Sequence, residues 1–342
     1  MKAVRIHEHG GPEVLRYEDV PDPAPGPGEV LIRVRACALN HLDLAVRRGI
    51  PGQTIPLPHI LGSDVAGEIA ALGPGAGRVK VGDRVLLAPA RSCRQCVECV
   101  SGRDNFCRQY RLLGYFIDGG NAEYITTPDV YVLPIPGDLN FIQAAAVPLV
   151  FLTAWHMLVG RAHIRRGEDV LVIGASSGVG SAAVQIAKLQ GCRVIATAGG
   201  EVKLALAREL GADAVLDHYR QDIAAEVKRL TARRGVDVVF EHVGEATWRQ
   251  SVASLAYGGR LITCGATTGG RGEIDIRALF WKQISLLGSF MGTLGELHEV
   301  LASIGRKELR PVIDKVFPLA GVRAAHERLE KKEQFGKVVL TP

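Results

Sequence analysis

The sequence predicts an α/β protein in which a doubly wound parallel sheet is joined to a second, mostly β domain. Three observations carry that expectation. Apolar, strand-like runs alternate with amphipathic helical stretches from Gly167 onward. A glycine-rich turn follows the first of those runs. The 342 residues also exceed the roughly 250–300 at which a single core stops growing, so two domains are expected.

From Met1 to about Val132 the pattern is one of short strands and turns. Val30–Arg35 is strand-like, and the Pro/Gly run Pro21–Gly28 forms a loop before it. Gly73–Gly77 is a loop tip, and Val81–Leu87 is a turn feeding another strand. Phe141–Gly160 is the most apolar stretch, but Gln143, Pro148 and His156 interrupt it, so a buried helix is expected there rather than a membrane span. Strands are then predicted at Asp169–Ile173, Arg193–Thr197, Ala214–Asp217, Asp237–Phe240, Arg260–Cys264 and Ile284–Gly288. Helices at Val179–Gln190, Val202–Leu210 and Ile223–Leu230 separate the first four, and a parallel return needs such crossovers. Leu294–Pro342 closes with helix and strand, and no internal repeat is visible.

Composition excludes several classes. The net charge of +5 is spread along the chain without a Lys/Arg block, so nucleic acid is not an expected partner. Forty glycines, about 12% against an average near 7%, have no collagen period and point to tight turns and close backbone approaches. Seven cysteines, an odd number in a long chain, argue against a disulfide framework. The first residues lack the apolar stretch of a signal peptide, and the expected setting is cytoplasmic.

The glycine-rich turn is the first chemical signal. Val170–Ile173 runs into Gly174-Ala175-Ser176-Ser177-Gly178-Val179-Gly180 and then into a helix. Glycines at such a turn let the backbone approach a pyrophosphate, and the helix N-terminus supplies free N–H groups and a positive dipole. NAD-specific versions end the second strand with an acid that holds the ribose 2′-hydroxyl. Here Arg193–Gly200 has no acid at its end, whereas Lys203 and Tyr219 are placed to meet a 2′-phosphate. NADPH is therefore the expected cofactor, with Glu201 the residue that would favour NADH.

Cys93-x2-Cys96-x2-Cys99-x7-Cys107 is the second signal, set in the polar loop Ala90–Tyr110. Four thiolates so close in sequence can close a tetrahedron around one structural Zn2+ with no open position. The spacing departs from the ferredoxin run, whose fourth ligand follows three residues later and precedes proline.

These features together resemble the medium-chain dehydrogenase/reductase superfamily over essentially the whole chain. The resemblance extends to Gly11–Leu15, Pro25–Val30, Gly82–Val85 and the terminal Gly336-Lys337-Val338-Val339-Leu340. It implies a Rossmann dinucleotide-binding domain at residues 151–289. A GroES-like catalytic domain would be built from residues 1–150 and 290–342. It also implies a homodimer or homotetramer formed near Ile284–Gly288.

The departures from zinc alcohol dehydrogenases are specific. Their cysteine ligand aligns with Asn40, their Gly-His-Glu motif reads Gly62-Ser63-Asp64, and their third ligand aligns with Leu149. A catalytic zinc needs three protein ligands and an open position, so its absence is expected. The chain then looks like the quinone-oxidoreductase and enoyl-reductase branch, although that branch usually lacks the four-cysteine lobe. Asn40 and His41 are the candidate hydrogen-bond donors to a small-molecule substrate, Asp64 and Asp43 orienting acids, and Thr153 the position near the nicotinamide. Two alternatives stay open. One is an alcohol or aldehyde dehydrogenase holding zinc through His41, His59 or Asp64, and the other is a non-enzymatic NADPH-binding protein.

Overall fold

A computed structural model describes all 342 residues. The chain divides into two compact units, one of Met1–Leu149 with Thr293–Pro342 and the other of Val150–Gly292.

In the second unit, six parallel strands line up in the order Ala214–Asp217, Arg193–Ala198, Asp169–Val172, Val236–Glu241, Leu255–Thr263, Ser285–Gly288. The order reverses direction at Asp169–Val172, the switch point of a doubly wound sheet, where ligands bind beyond the carboxyl ends of the strands. Val170–Val172, Val194–Ala196 and Val238–Phe240 are fully buried, as continuous apolar runs covered on both faces should be. Helix Ile223–Leu230 falls on its predicted residues, while Gly178–Leu189 and Glu201–Glu209 each lie one residue earlier than predicted.

The expected single helix over Phe141–Gly160 is corrected. Helices Phe141–Ala145 and Pro148–Trp155 replace it, followed by a π-helical turn at His156–Arg161. Proline lacks an N–H and its ring clashes with the carbonyl four residues back, so Pro148 ends one helix and is preorganised to start the next.

The first unit is built on a mixed sheet of strands Val132–Pro134, Arg84–Leu87, Asp64–Leu72, Glu29–Ala38, Lys337–Thr341 and Ile313–Pro318, in that order. Strand Lys337–Thr341 runs antiparallel to Glu29–Ala38, pairing Val339 with Ala38 and Leu340 with Cys37. Strands from the early and the late part of the chain therefore share one sheet. Val30, Ile32, Ile69, Val85 and Leu87 make its core, and alternate positions such as Arg33 and Arg35 face solvent, the period of a half-buried strand.

Helix His41–Arg48 follows directly from strand Glu29–Ala38 through the corner Leu39-Asn40. Its Arg47 is fully buried, donating to the Gly10 carbonyl at 3.1 Å, to His326 Nδ1 at 3.1 Å and to Glu330. Such a cation stays buried only because every face of the guanidinium is paired. No helix is long and apolar enough to cross a membrane.

Candidate functional site

The glycine turn sits at the switch point as a tightly bonded loop. Gly174 adopts φ +67°, a conformation that favours glycine, and its N–H donates to Thr197 Oγ1 at 3.0 Å. Ser177 caps helix Gly178–Leu189: its Oγ accepts from Gly180 N at 2.9 Å and donates to the Gly174 carbonyl at 2.9 Å. Its single proton is thereby used, so His242 Nε2, 3.1 Å away, must be the donor to Ser177 Oγ. Burial pushes the His242 pKa down, in keeping with a neutral imidazole protonated on Nε2. At Gly180 a Cβ would lie 2.3 Å from the Gly174 carbonyl oxygen, so this position admits no side chain without opening the loop.

Beside this loop lies Glu241, fully buried at the end of strand Val236–Glu241. Its Oε1 accepts the backbone N–H groups of His242, Val243 and Gly244 at 2.9, 2.6 and 3.2 Å. Its Oε2 accepts the hydroxyls of Thr247 and Ser251 at 2.8 and 2.6 Å. The carboxylate thus closes the N-terminal end of helix Glu245–Ala253, where the dipole favours negative charge. Lys203 stands in the first turn of helix Glu201–Glu209, entered through Gly200 at φ +83°. The Tyr219 ring lies over Gly199, where a Cβ would be 2.2 Å from it, yet 76% of Tyr219 is exposed. Glu201, the first residue of helix Glu201–Glu209, is exposed. Thr153 is buried in helix Pro148–Trp155 and its hydroxyl donates to Met291 Sδ at 3.8 Å.

Cys93, Cys96, Cys99 and Cys107 converge, with all four Sγ atoms within 4.8 Å of one another. The Cys93–Cys99 and Cys96–Cys99 separations are 3.8 and 3.5 Å. Tetrahedral zinc with Zn–S bonds near 2.3 Å requires an edge of about 3.8 Å, so the donor set fits that ion. Backbone N–H groups of Cys93 and Gln109 point at Cys107 Sγ, and that of Cys96 at Cys93 Sγ, at 3.3–3.4 Å. The N–H groups of Gln95 and Cys96 bring the Cys93 thiol down to about 6, toward the thiolate a metal needs. Asp104 of the same lobe accepts from Leu294 N at 3.2 Å, fixing the lobe to helix Leu294–Gly305. Nowhere else do three or more His, Cys, Asp or Glu side chains bring their ligand atoms together.

The third constellation is buried at the Leu39-Asn40 corner. Lys337, only 3% exposed, donates through Nζ to Asn40 Oδ1 at 2.5 Å and to Asp64 Oδ2 at 2.8 Å. Asn40 Nδ2 donates to the same Asp64 oxygen at 2.9 Å and to the Ala38 carbonyl at 3.4 Å. Asp64 Oδ1 accepts Leu149 N at 2.7 Å. Asp43 is buried too, taking Asn40 N on Oδ2 at 2.7 Å and Gly62 N on Oδ1 at 2.9 Å. Burial pushes its carboxyl up to about 6, against the pull of those N–H groups and of Lys337.

Asn40 and Asp64, both singled out from sequence, are therefore brought together, and His41 follows as the half-buried first residue of its helix. Both amide hydrogens of Asn40 are directed at protein acceptors. Ser63 is buried with its hydroxyl on the Leu113 carbonyl at 2.7 Å, and His59 Nδ1 faces Asp118 at 3.2 Å rather than Asp64.

Sequence reasoning missed Lys337, Glu241 and His242. The signal for each was a charged or titratable residue in or just after an apolar strand, Gly336-Lys337-Val338-Val339-Leu340 and Val236–Glu241-His242, where burial forces pairing.

Comparison with known proteins bears on this geometry. A family model described as "Zinc-binding dehydrogenase" matches residues 178–306, and one described as "Alcohol dehydrogenase GroES-like domain" matches residues 26–137. A quinone oxidoreductase of Pongo abelii is 34% identical over 348 residues, covering 99% of this chain and 97% of that protein. The crystal structure of an NAD-dependent alcohol dehydrogenase covers 100% of both chains, with 44% identity and a TM-score of 0.97. A cobalt- and zinc-bound thermostable alcohol dehydrogenase from Pyrobaculum aerophilum is 35% identical, with a TM-score of 0.91 over 100% of this chain and 99% of that one.

Proposed function

The chain belongs to the medium-chain dehydrogenase/reductase superfamily, and from that premise we propose an NADPH-dependent reductase of quinones, enones or other activated double bonds and carbonyls that works without a catalytic zinc. One observation carries the reading: the Lys337 ammonium lies 2.8 Å from Asp64, and Asp64 spends both oxygens on protein donors. A divalent cation there would have to displace a buried positive charge and take an acceptor already filled.

Bound NADPH supplies the hydride. Gly174, Ser176, Ser177, Gly178, Val179 and Gly180 would hold its pyrophosphate, and Lys203 and Tyr219 would receive its 2′-phosphate. His41 would donate a hydrogen bond to the acceptor oxygen of an enone, where negative charge would develop during its reduction. Asn40 and Asp64 would orient that corner, Thr153 would stand near the nicotinamide, and His41 or water would deliver a proton to the resulting enolate. Cys93, Cys96, Cys99 and Cys107 would hold one structural zinc, which would contribute folding energy to the lobe and no step of the reaction. The edge strand Ser285–Gly288, with exposed Ile276, Phe280 and Trp281 nearby, is the surface for pairing with further copies of the chain.

The test is oxidation of NADPH and of NADH against quinones, enones, enoyl thioesters and aldehydes, with zinc measured on the same sample. Faster NADPH turnover on quinones or enones with about one zinc per chain is the expected result. Aldehyde-only turnover with about two zincs would replace this reading by a zinc alcohol dehydrogenase. Preference for NADH would refute the roles of Lys203 and Tyr219.

A further inference from the structure

We propose that Lys337 is a positioning residue of the reductase, a fixed internal cation that locks the Asn40 carboxamide and with it the Asn40–His41 corner. This rests on the reductase reading above and adds to it a residue whose role lies outside the substrate and cofactor contacts.

The bonding pattern admits one orientation of Asn40. Oδ1 faces the ammonium and Nδ2 faces the carboxylate. Turning the amide over would set its NH2 against Lys337 and its oxygen against Asp64, unfavourable on both sides. The clamp joins four separated stretches of chain: the Asn40 corner, Asp64, Leu149 and Lys337. It lies against the start of helix His41–Arg48, whose N-cap is Asn40 itself, so the clamp sets where His41 begins.

Stability alone is a poor reason to keep this pair. Lys337 and Asp64 are 3% and 0% exposed, and a buried ion pair replaced on both sides by neutral groups of similar size is often as stable as before. Losing only one partner is different, because an uncompensated charge stays behind. A positioning role therefore has a signature that a structural role lacks: both charges can go without loss of fold, but not without loss of turnover.

The experiment compares wild type, Lys337→Arg, Lys337→Met and the double variant Lys337→Met/Asp64→Asn in the full-length protein. Benzoquinone and methyl vinyl ketone are the acceptors, and if the wild type reduces neither, its own best acceptor is used. Thermal midpoint, NADPH affinity by fluorescence and zinc content are measured beside kcat and KM. The double variant is expected to keep its midpoint, NADPH affinity and single zinc while kcat falls about 100-fold with little change in KM, as when a preorganised active-site group is removed. Lys337→Arg, which keeps the charge, is expected to recover most of that kcat. A double variant with a native midpoint and wild-type kcat overturns the proposal. So does one that fails to fold or loses NADPH affinity, since the pair would then be structural. Because every variant is scored against wild type on one acceptor, failure of the reductase reading shows in the wild type alone and failure of the Lys337 role shows only in the ratios.

Discussion

Replacing Glu241 by Gln isolates the value of one buried carboxylate next to the nucleotide turn. Five donors converge on it, three of them backbone N–H groups at 2.6–3.2 Å on one oxygen. A hydrogen bond to a charged group contributes roughly 1.5–3 kcal/mol against roughly 0.5–1.5 for a neutral one. Neutralising all five bonds should thus cost about 5 kcal/mol, offset in part because the amide no longer carries a charge into a dry interior. Thr247 has the Gly244 carbonyl as an alternative acceptor at 3.3 Å, and the Ser251 hydroxyl can turn to accept from the new NH2. The net loss is about 2–3 kcal/mol, which for a domain of this size lowers the thermal midpoint by about 5–10 °C. Calorimetry checks the midpoint. A second readout is independent of it. Burial, and next the Glu241 charge, push the Cys264 thiol up to about 12, so removing that charge should speed alkylation of Cys264 at mildly alkaline pH. An unchanged midpoint would show that desolvation already cancels the five bonds, and the carboxylate could no longer be counted as holding this turn.

Three further outcomes are expected. Gly180→Ala should weaken NADPH binding about 10- to 100-fold by fluorescence titration, because its Cβ would lie 2.3 Å from one backbone atom and 2.9 Å from another; native affinity would mean the loop yields freely. His326, held neutral by burial and by Arg47, has its pKa pushed down to about 3, so the stability it contributes is present above its usual value near 6.5 and is lost as pH falls toward 3, on the order of 5 kcal/mol in full. Denaturant midpoints across that window should flatten in His326→Asn, and an identical slope would reject the assignment. Cys107→Ser should lower bound zinc from about one per chain toward none by elemental analysis, and the lobe around Ala90–Tyr110 should become sensitive to protease; retention of the metal would show that three thiolates suffice.

The parallel sheet was legible because its strands are short apolar runs separated by periodic helices, and that pattern survives in one dimension. The four-cysteine lobe was equally legible, since its ligands lie within fifteen residues. Phe141–Gly160 was misread as one helix because its apolar content outweighed Pro148, although that single residue decides where the helix breaks. The Lys337 clamp was hidden for a different reason. Its members are separated by up to 297 positions, and nothing local marks Lys337 except that it opens an apolar strand. Asn40 was visible as a candidate donor, but its hydrogens being directed at Asp64 and Ala38 is a fact of tertiary packing alone.

Strand Lys337–Thr341 lies inside its sheet, between Glu29–Ala38 and Ile313–Pro318, rather than at an edge. Only Cys37 and Ala38 of Glu29–Ala38 pair with that strand, while Glu29–Arg33 pair with Tyr124–Pro128. On the ribosome the Cys37–Ala38 end must therefore wait for a neighbour made about 300 residues later, some 15–60 s at roughly 5–20 residues per second. The contiguous stretch Val150–Gly292 needs no such wait, since all six strands of its sheet have emerged by Gly288. Translation thus imposes an order: the contiguous unit can close while the Cys37–Ala38 end of the other unit's central strand still lacks its partner.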